Sequence, residues 1–298
     1  MGSGRPRGRT LAGEGEAGAS SAPPQREFEL GDREFRYLAT FLTRETGIVV
    51  TDHKRQMVSG RLVKRLRALG LRNFSDYCDL IEGPDGHAEI ENLVNALTTN
   101  ITQFFREPHH FEHLRTRVLM PRFAELPRRP RLRIWSAGCS SGQEPYTIAM
   151  MVAEIMRPIE GWDAVILATD IDTNMLARGE AGLYSAEEGA TIPETYRKRY
   201  VRRVHGDPDR VQMSDDLRRL IRFRRLNLHE AWPMKGLFDV IFCRNVAIYF
   251  DKPTQHRLFN RYADILVPGG MLYLGHAESL IGLTDRFEMS DKTVYRRK

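Results

Sequence analysis

The chain has 298 residues, 41% hydrophobic and 28% charged, with a formal net charge of +6. This is enough apolar material to bury one large core or two ordinary ones. It contains no signal-peptide core and no run of about 18 apolar residues, which predicts a cytoplasmic protein that does not insert into membranes. Cys78, Cys139 and Cys243 are far apart and form no CxxC pair, which argues against a disulfide scaffold or a structural zinc.

Residues 1–27 are Gly, Ala, Arg, Ser and Pro with almost no large apolar side chain, and read as a disordered tail because they cannot offset the entropy of ordering. Part of the positive charge sits there, so the net charge is weak evidence of nucleic-acid binding, and none is expected. From Asp32 to about Phe123 apolar residues recur at helical spacing: Phe35, Leu38, Phe41 and Leu42, then Leu62, Leu66 and Leu69, then Ile90, Leu93, Val94 and Leu97. An all-helical N-terminal domain over 28–127 follows, with Asp32 as first cap, Gly47 and Gly70 as helix ends, and Gly83-Pro84-Asp85-Gly86 as a turn. Pro127-Arg128-Arg129-Pro130 reads as a linker.

After Arg131 short apolar runs alternate with helices: Leu132–Ala137, a helix from Glu144, Ala164–Thr169, a helix from Thr173, Leu220–Leu226, Phe238–Phe242, a helix from Lys252, and Met271–Leu274. That pattern predicts a doubly wound α/β sheet across 128–298, with Arg286–Met289 and Thr293–Arg297 as an antiparallel edge. An Arg-rich insertion at 183–219 is read as a small β-subdomain whose hairpin turns at Gly206-Asp207-Pro208-Asp209.

In such a sheet, ligands bind beyond the carboxyl ends of the strands. The first of these loops, Ser136-Ala137-Gly138-Cys139-Ser140-Ser141-Gly142-Gln143-Glu144, lets a ligand approach the backbone at Gly138 and Gly142. It is not GxGxxG, and a helix opening on the anion Glu144 would repel a pyrophosphate, so a cationic ligand suits it better. Asp170-Ile171-Asp172 ends the second strand, where a carboxylate can accept both hydroxyls of a ribose, although Asp172 could equally be a helix N-cap before Thr173. Loop-plus-acid favours S-adenosylmethionine over NAD or a noncatalytic nucleotide. The third and fourth loops offer Asn227-Leu228 and Cys243-Arg244-Asn245-Val246-Ala247-Ile248-Tyr249-Phe250. They lack the Asn/Asp-Pro-Pro-aromatic motif of many nucleobase N-methylating enzymes, and Tyr249 alone could be a packing residue. In the helical domain, Thr98–Glu107 reads blandly as two helix caps, a reading that leaves Arg106 unexplained. His109 and His113 lie one helical turn apart, but with no further ligand set beside them no metal is expected.

The runs TTNITQFFREPHHF, SAGCSSGQEPYTIAM, ATDID, FDVIFCRNVAIYFDK and GHAES, in that order, resemble the CheR family of chemotaxis receptor methyltransferases, and the resemblance spans about Phe28 to Lys298. It implies a class I methyltransferase domain bearing a small β-subdomain and preceded by a helical domain, acting as a protein-glutamate O-methyltransferase on chemoreceptors. It also implies cofactor contacts from Asn100, Thr102, Arg106, Glu144, Asp170, Asn227, Leu228, Asn245 and Val246, with Arg106 and Tyr249 nearest the reacting carboxylate. One departure is Gln143, which stands where many members have a second glutamate.

A glutamate acceptor, with an ordinary pKa of about 4.3, is ionised at neutral pH and needs no general base. Residues 52–72 carry Lys54, Arg55, Arg61, Lys64, Arg65, Arg67 and Arg72 against the single acid Asp52. This basic helix is read as the surface that steers a monomeric enzyme onto an acidic receptor helix, the bland alternative being a solvated face. The rival readings are a class I enzyme acting on RNA or another protein, and a silent module that only binds the cofactor.

Overall fold

Four helices form from the helical-period segments: α1 (Asp32–Thr46), α2 (Arg55–Leu69), α3 (Phe74–Glu82) and α4 (His87–Leu97). Their apolar stripes meet in one core, in which Leu38, Leu42, Leu62, Leu66, Tyr77 and Leu93 are fully buried. Gly47 and Gly70 end α1 and α2 as expected, whereas the cap of α1 is Gly31, and Asp32 is already helical with no side-chain capping bond. At that position its charge complements the helix dipole instead. The computed structural model describes residues 1, 28–124, 131–156 and 163–298; residues 2–27 of the tail and the expected linker at Pro127–Pro130 lie outside this range.

Helix α5 (Pro108–His113) continues through a π-helical stretch, Leu114–Leu119, into α6 (Met120–Ala124). The sheet domain then runs β1 (Arg131–Ala137), α7 (Gln143–Met156), β2 (Asp163–Asp170) and α8 (Thr173–Ala181). The inserted elements are β3 (Leu183–Ser185), α9 (Ala186–Ala190), α10 (Glu194–Tyr200), β4 (Val201–Val204), β5 (Asp207–Met213) and α11 (Asp215–Arg218). The chain closes with β6 (Ile221–Arg225), β7 (Phe238–Cys243), α12 (Lys252–Ile265), β8 (Leu266–Leu274), β9 (Phe287–Asp291) and β10 (Val294–Arg297).

The main sheet has the order β6-β2-β1-β7-β8-β10-β9, parallel except for β10, which runs antiparallel to both β8 and β9. Strand order reverses between β1 and β7, so the crevice expected of a doubly wound sheet opens at their carboxyl ends. Every residue of β7 is buried, as a strand covered on both faces must be. One face packs around Ile134, Tyr146, Ile148, Val240 and Tyr273, the other around Trp135, Ile241, Phe259 and Tyr262.

The insertion forms a second sheet, β3-β5-β4. Its hairpin turns at His205-Gly206, two residues earlier than expected, and Asp207, Pro208 and Asp209 belong to β5. Gly206, with φ of 78°, supplies the left-handed residue of this turn. Pro208 is accommodated because it falls in the register shift between the Val204–Asp207 and Arg203–Val211 pairs, where it has no strand partner among the described residues.

Candidate active site

A cleft of about 1150 Å³, counting its open mouth, lies over the ends of β1, β2, β6 and β7. The helical domain covers it. Ile48 bridges Phe250, the Val49 N–H donates to the Tyr249 carbonyl at 2.9 Å, and the Asn227 amide donates to the Glu45 carbonyl at 2.6 Å. Asn100, Thr102, Arg106, Glu144, Asp170, Asn227, Leu228, Asn245, Val246 and Tyr249 all line this one cleft.

The floor is the loop after β1. Gly138 has φ of 78°, and a Cβ there would lie 2.4 Å from Val246 Cγ2, so the loop requires glycine both for its conformation and for its approach to the loop after β7. Gly142, with φ of 95°, is pressed against the Tyr184 hydroxyl. Glu144 accepts from the Ser136 hydroxyl at 2.7 Å and from Arg244 at 3.0 Å. Gln143 turns away from the cleft, accepting from Ser141 and donating to Glu188 at 3.1 Å, so Glu144 is the carboxylate this helix presents to the cleft.

Asp170 accepts the backbone N–H groups of Ser140 at 2.7 Å and Asp172 at 2.9 Å, which fixes the first two loops against each other. Burial nevertheless pushes its pKa up to about 6 against those hydrogen bonds. Asp172 takes the capping role left open above: it accepts from Asn174 N and Met175 N at the start of α8. It also accepts from the Thr98 hydroxyl at 2.8 Å and the Asn100 amide at 2.7 Å. The Asn100 side chain thus ties the helical domain to the sheet from within the cleft wall. Asn227 is similar, since its amide also donates to Glu230 and its carbonyl accepts from His229 N.

Arg106 reaches the cleft from the segment between α4 and α5, its guanidinium donating to the Ile101 carbonyl at 2.9 Å. The residues on either side of it, Phe105 and Glu107, have φ of 53° and 57°. Left-handed backbone at non-glycine residues costs on the order of 1–3 kcal/mol each and persists only where the surroundings hold it. Tyr249, on the loop after β7, lines the same cleft, with Lys54 Nζ 5.4 Å from its ring centre.

Two buried charges that the motif reading passed over organise these loops. Glu278, from the GHAES run, accepts four backbone N–H groups: Asn245 at 2.8 Å, Val246 at 2.9 Å, Ile248 at 3.3 Å and Gly275 at 2.6 Å. This carboxylate holds Asn245, itself at φ of 60°, in place. Arg244, whose side chain is 2% exposed, joins Glu144 to Glu107 at 3.3 Å and donates to the Arg106 carbonyl. A charged side chain inside a covered parallel strand's exit loop, as Arg244 is, was the available signal.

His113 is buried and hydrogen-bonds the Tyr273 hydroxyl at 2.9 Å, so the His109–His113 spacing builds no ligand pair. Glu107, His109 and His110 do bring ligand atoms within 4.8 Å of one another. The Arg244 guanidinium already sits beside Glu107 as its counter-cation, and we assign no metal there. Burial, helped by Arg244 and His109, lowers the His110 pKa to about 3. Burial works to raise Glu107, but the His276 hydrogen bond, Arg244 and His110 outweigh it and hold the carboxyl down at about 2.

The basic helix is not uniform. Arg65 grips buried Glu89 with two bonds of 2.9 and 2.6 Å, Arg61 donates to the Thr98 carbonyl at 2.5 Å, and Arg55 pairs with Asp32 at 2.6 Å. These three serve the fold of the domain. Lys64, Arg67 and Arg72 are exposed, and Lys54 borders the cleft. No described helix is long and apolar enough to cross a membrane.

Comparison with known proteins matches residues 33–98 to the family model "CheR methyltransferase, all-alpha domain" and residues 100–296 to "CheR methyltransferase, SAM binding domain". A probable chemotaxis protein methyltransferase of Rhizobium etli is 44% identical over 254 residues, 85% of this chain and 95% of the relative. The chemotaxis protein methyltransferase of Klebsiella aerogenes is 40% identical over 286 residues, 94% of each chain. That of Escherichia coli K12 is 40% identical over 271 residues, 89% of this chain and 91% of the relative.

Proposed function

The chain belongs to the CheR methyltransferase family, an S-adenosylmethionine-dependent methyltransferase of chemotaxis, and from this we propose that its acceptor is the side-chain carboxylate of glutamates on chemoreceptors. The product is a glutamate methyl ester. Within the cleft, the observation that supports this acceptor is Arg106, a guanidinium lining the same cavity as Tyr249 and suited to hold a carboxylate that needs no base.

The cleft fits the cofactor chemically. Its acidic lining, Glu144 and Asp170, suits a ligand bearing an ammonium and ribose hydroxyls, and the backbone at Gly138 has no side chain to obstruct it. Asn100, Thr102, Arg106, Glu144, Asp170, Asn227, Leu228, Asn245 and Val246 would hold it. When bound, S-adenosylmethionine would supply a methyl group on a cationic sulfur, the thioether leaving with the carbon–sulfur electron pair as a carboxylate oxygen takes the methyl.

No proton moves in this reaction, so the protein's task is positioning, worth on the order of 7–11 kcal/mol when reacting groups are held in line. Arg106 anchors the acceptor through charge-assisted hydrogen bonds and Tyr249 orients it from the loop after β7. Lys54 at the cleft edge and the exposed Lys64 of α2 contribute the positive charge that draws an acidic receptor helix. The test is incubation with methyl-labelled cofactor and receptor-bearing membranes from the same source. A labelled receptor band that releases volatile methanol in base supports the reading, because esters hydrolyse; base-stable label, or label on RNA, refutes it.

A further inference from the structure

The Phe105-Arg106-Glu107 turn and the cofactor wall are joined through one side chain, Arg244. Resting on the reading of Arg106 as the acceptor's anchor, we infer that Arg244 is a positioning residue that clamps this strained turn and so aims Arg106 into the cleft. Three observations meet here. Phe105 and Glu107 are both left-handed, leaving Arg106 between two residues whose backbone would relax if released. The Arg244 guanidinium takes hold of that turn at two points, the Arg106 carbonyl and the Glu107 carboxylate at 3.3 Å. Its other nitrogen binds Glu144 at 3.0 Å, on the helix that forms the cofactor side of the cleft.

The site is built for rigidity. Arg244 packs its guanidinium carbon 5.4 Å from the centre of the Phe111 ring, and Phe105 N donates to the Thr147 hydroxyl on α7 at 3.2 Å. Glu107 is held from its far side by His276 at 2.9 Å. A planar fork reaching two carboxylates and a carbonyl at once is something lysine cannot reproduce, since its ammonium is a single point. The clamp therefore depends on arginine specifically and acts on the acceptor's anchor from behind, without touching the acceptor.

A double-mutant cycle in the full chain tests this, with R244K measured in the wild-type and R106K backgrounds at saturating labelled cofactor against receptor-bearing membranes. R244K is expected to lower kcat about 10-fold or more in the wild type and less than about 2-fold once Arg106 is already replaced, because contacting or serially dependent residues are non-additive. Equal factors in both backgrounds, or no loss in the wild type, overturn the inference. E107Q removes one hold on the turn while leaving Arg244 intact and is expected to follow the same pattern. It decides the matter if R244K does not fold. R106K that leaves kcat unchanged refutes the anchoring role itself, whereas R106K that lowers kcat with R244K multiplying on top refutes only the clamp.

Discussion

Replacing Glu278 with glutamine changes one oxygen for an amide nitrogen at the point where four backbone N–H groups converge. Whichever way the amide is turned, one oxygen position becomes a donor facing two donors: either Val246 and Ile248 or Asn245 and Gly275 lose their acceptor. Hydrogen bonds to a charged group contribute about 1.5–3 kcal/mol each, so losing two costs about 3–6 kcal/mol. Burial raises the Glu278 pKa, which means that holding its charge in the interior already costs something, and removing that charge moves the net loss toward about 3 kcal/mol. Against a total stability of about 5–15 kcal/mol this is a large fraction. Urea unfolding of E278Q should show a lower midpoint at unchanged slope, and calorimetry with S-adenosylhomocysteine should show weakened affinity because Asn245 and Val246 lie on the loosened loop. A stability loss under about 1 kcal/mol with unchanged affinity would sink the claim that this carboxylate organises the site.

R106A should lower turnover by on the order of 100-fold while S-adenosylhomocysteine affinity falls much less; equal losses would make Arg106 a cofactor ligand only. The Asp170 carboxyl, raised by burial to about 6 from an unfolded value of about 3.9, binds an extra proton in the folded ligand-free protein between those values. Stability of that form should therefore fall as pH rises through this window, while affinity for a ligand donating hydroxyls to the carboxylate should rise. Thermal unfolding and ligand-binding calorimetry from about pH 4 to 8 on the wild type and D170N check it, and wild-type profiles as flat as the variant's would refute it. On the basic helix, K64E should raise the KM for receptor membranes and flatten its salt dependence with stability unchanged. R65A should instead cost about 1–3 kcal/mol in urea unfolding, because among the described residues Glu89 keeps only Tyr77 and Asn92 as partners. Identical behaviour of these two variants would erase the distinction drawn between them.

The elements were legible because each rests on a local rule. Helical spacing at Phe35, Leu38 and Leu42 and apolar runs such as Phe238–Phe242 announce which face must be buried, and chain connectivity then leaves few sheet topologies. The cleft was legible for a related reason: loops after parallel strands converge wherever such a sheet is built, so Gly138, Asp170 and Asn245 had to be neighbours. Local rules misplaced the cap at Asp32 by one residue and the hairpin by two; at the hairpin the left-handed backbone of Gly206 set the turn. Arg61 and Arg65 could not be told from Lys64 in the sequence, because all lie in one basic run and only the packing of α2 against α4 turns some inward.

What only the tertiary structure decided is the wiring behind the cleft. Arg244 and Glu144 are 100 residues apart, and Asn245 and Glu278 are 33 apart. No periodicity encodes such pairings: a buried charge can be recognised as needing a partner, but which partner is fixed only when separate elements fold against one another.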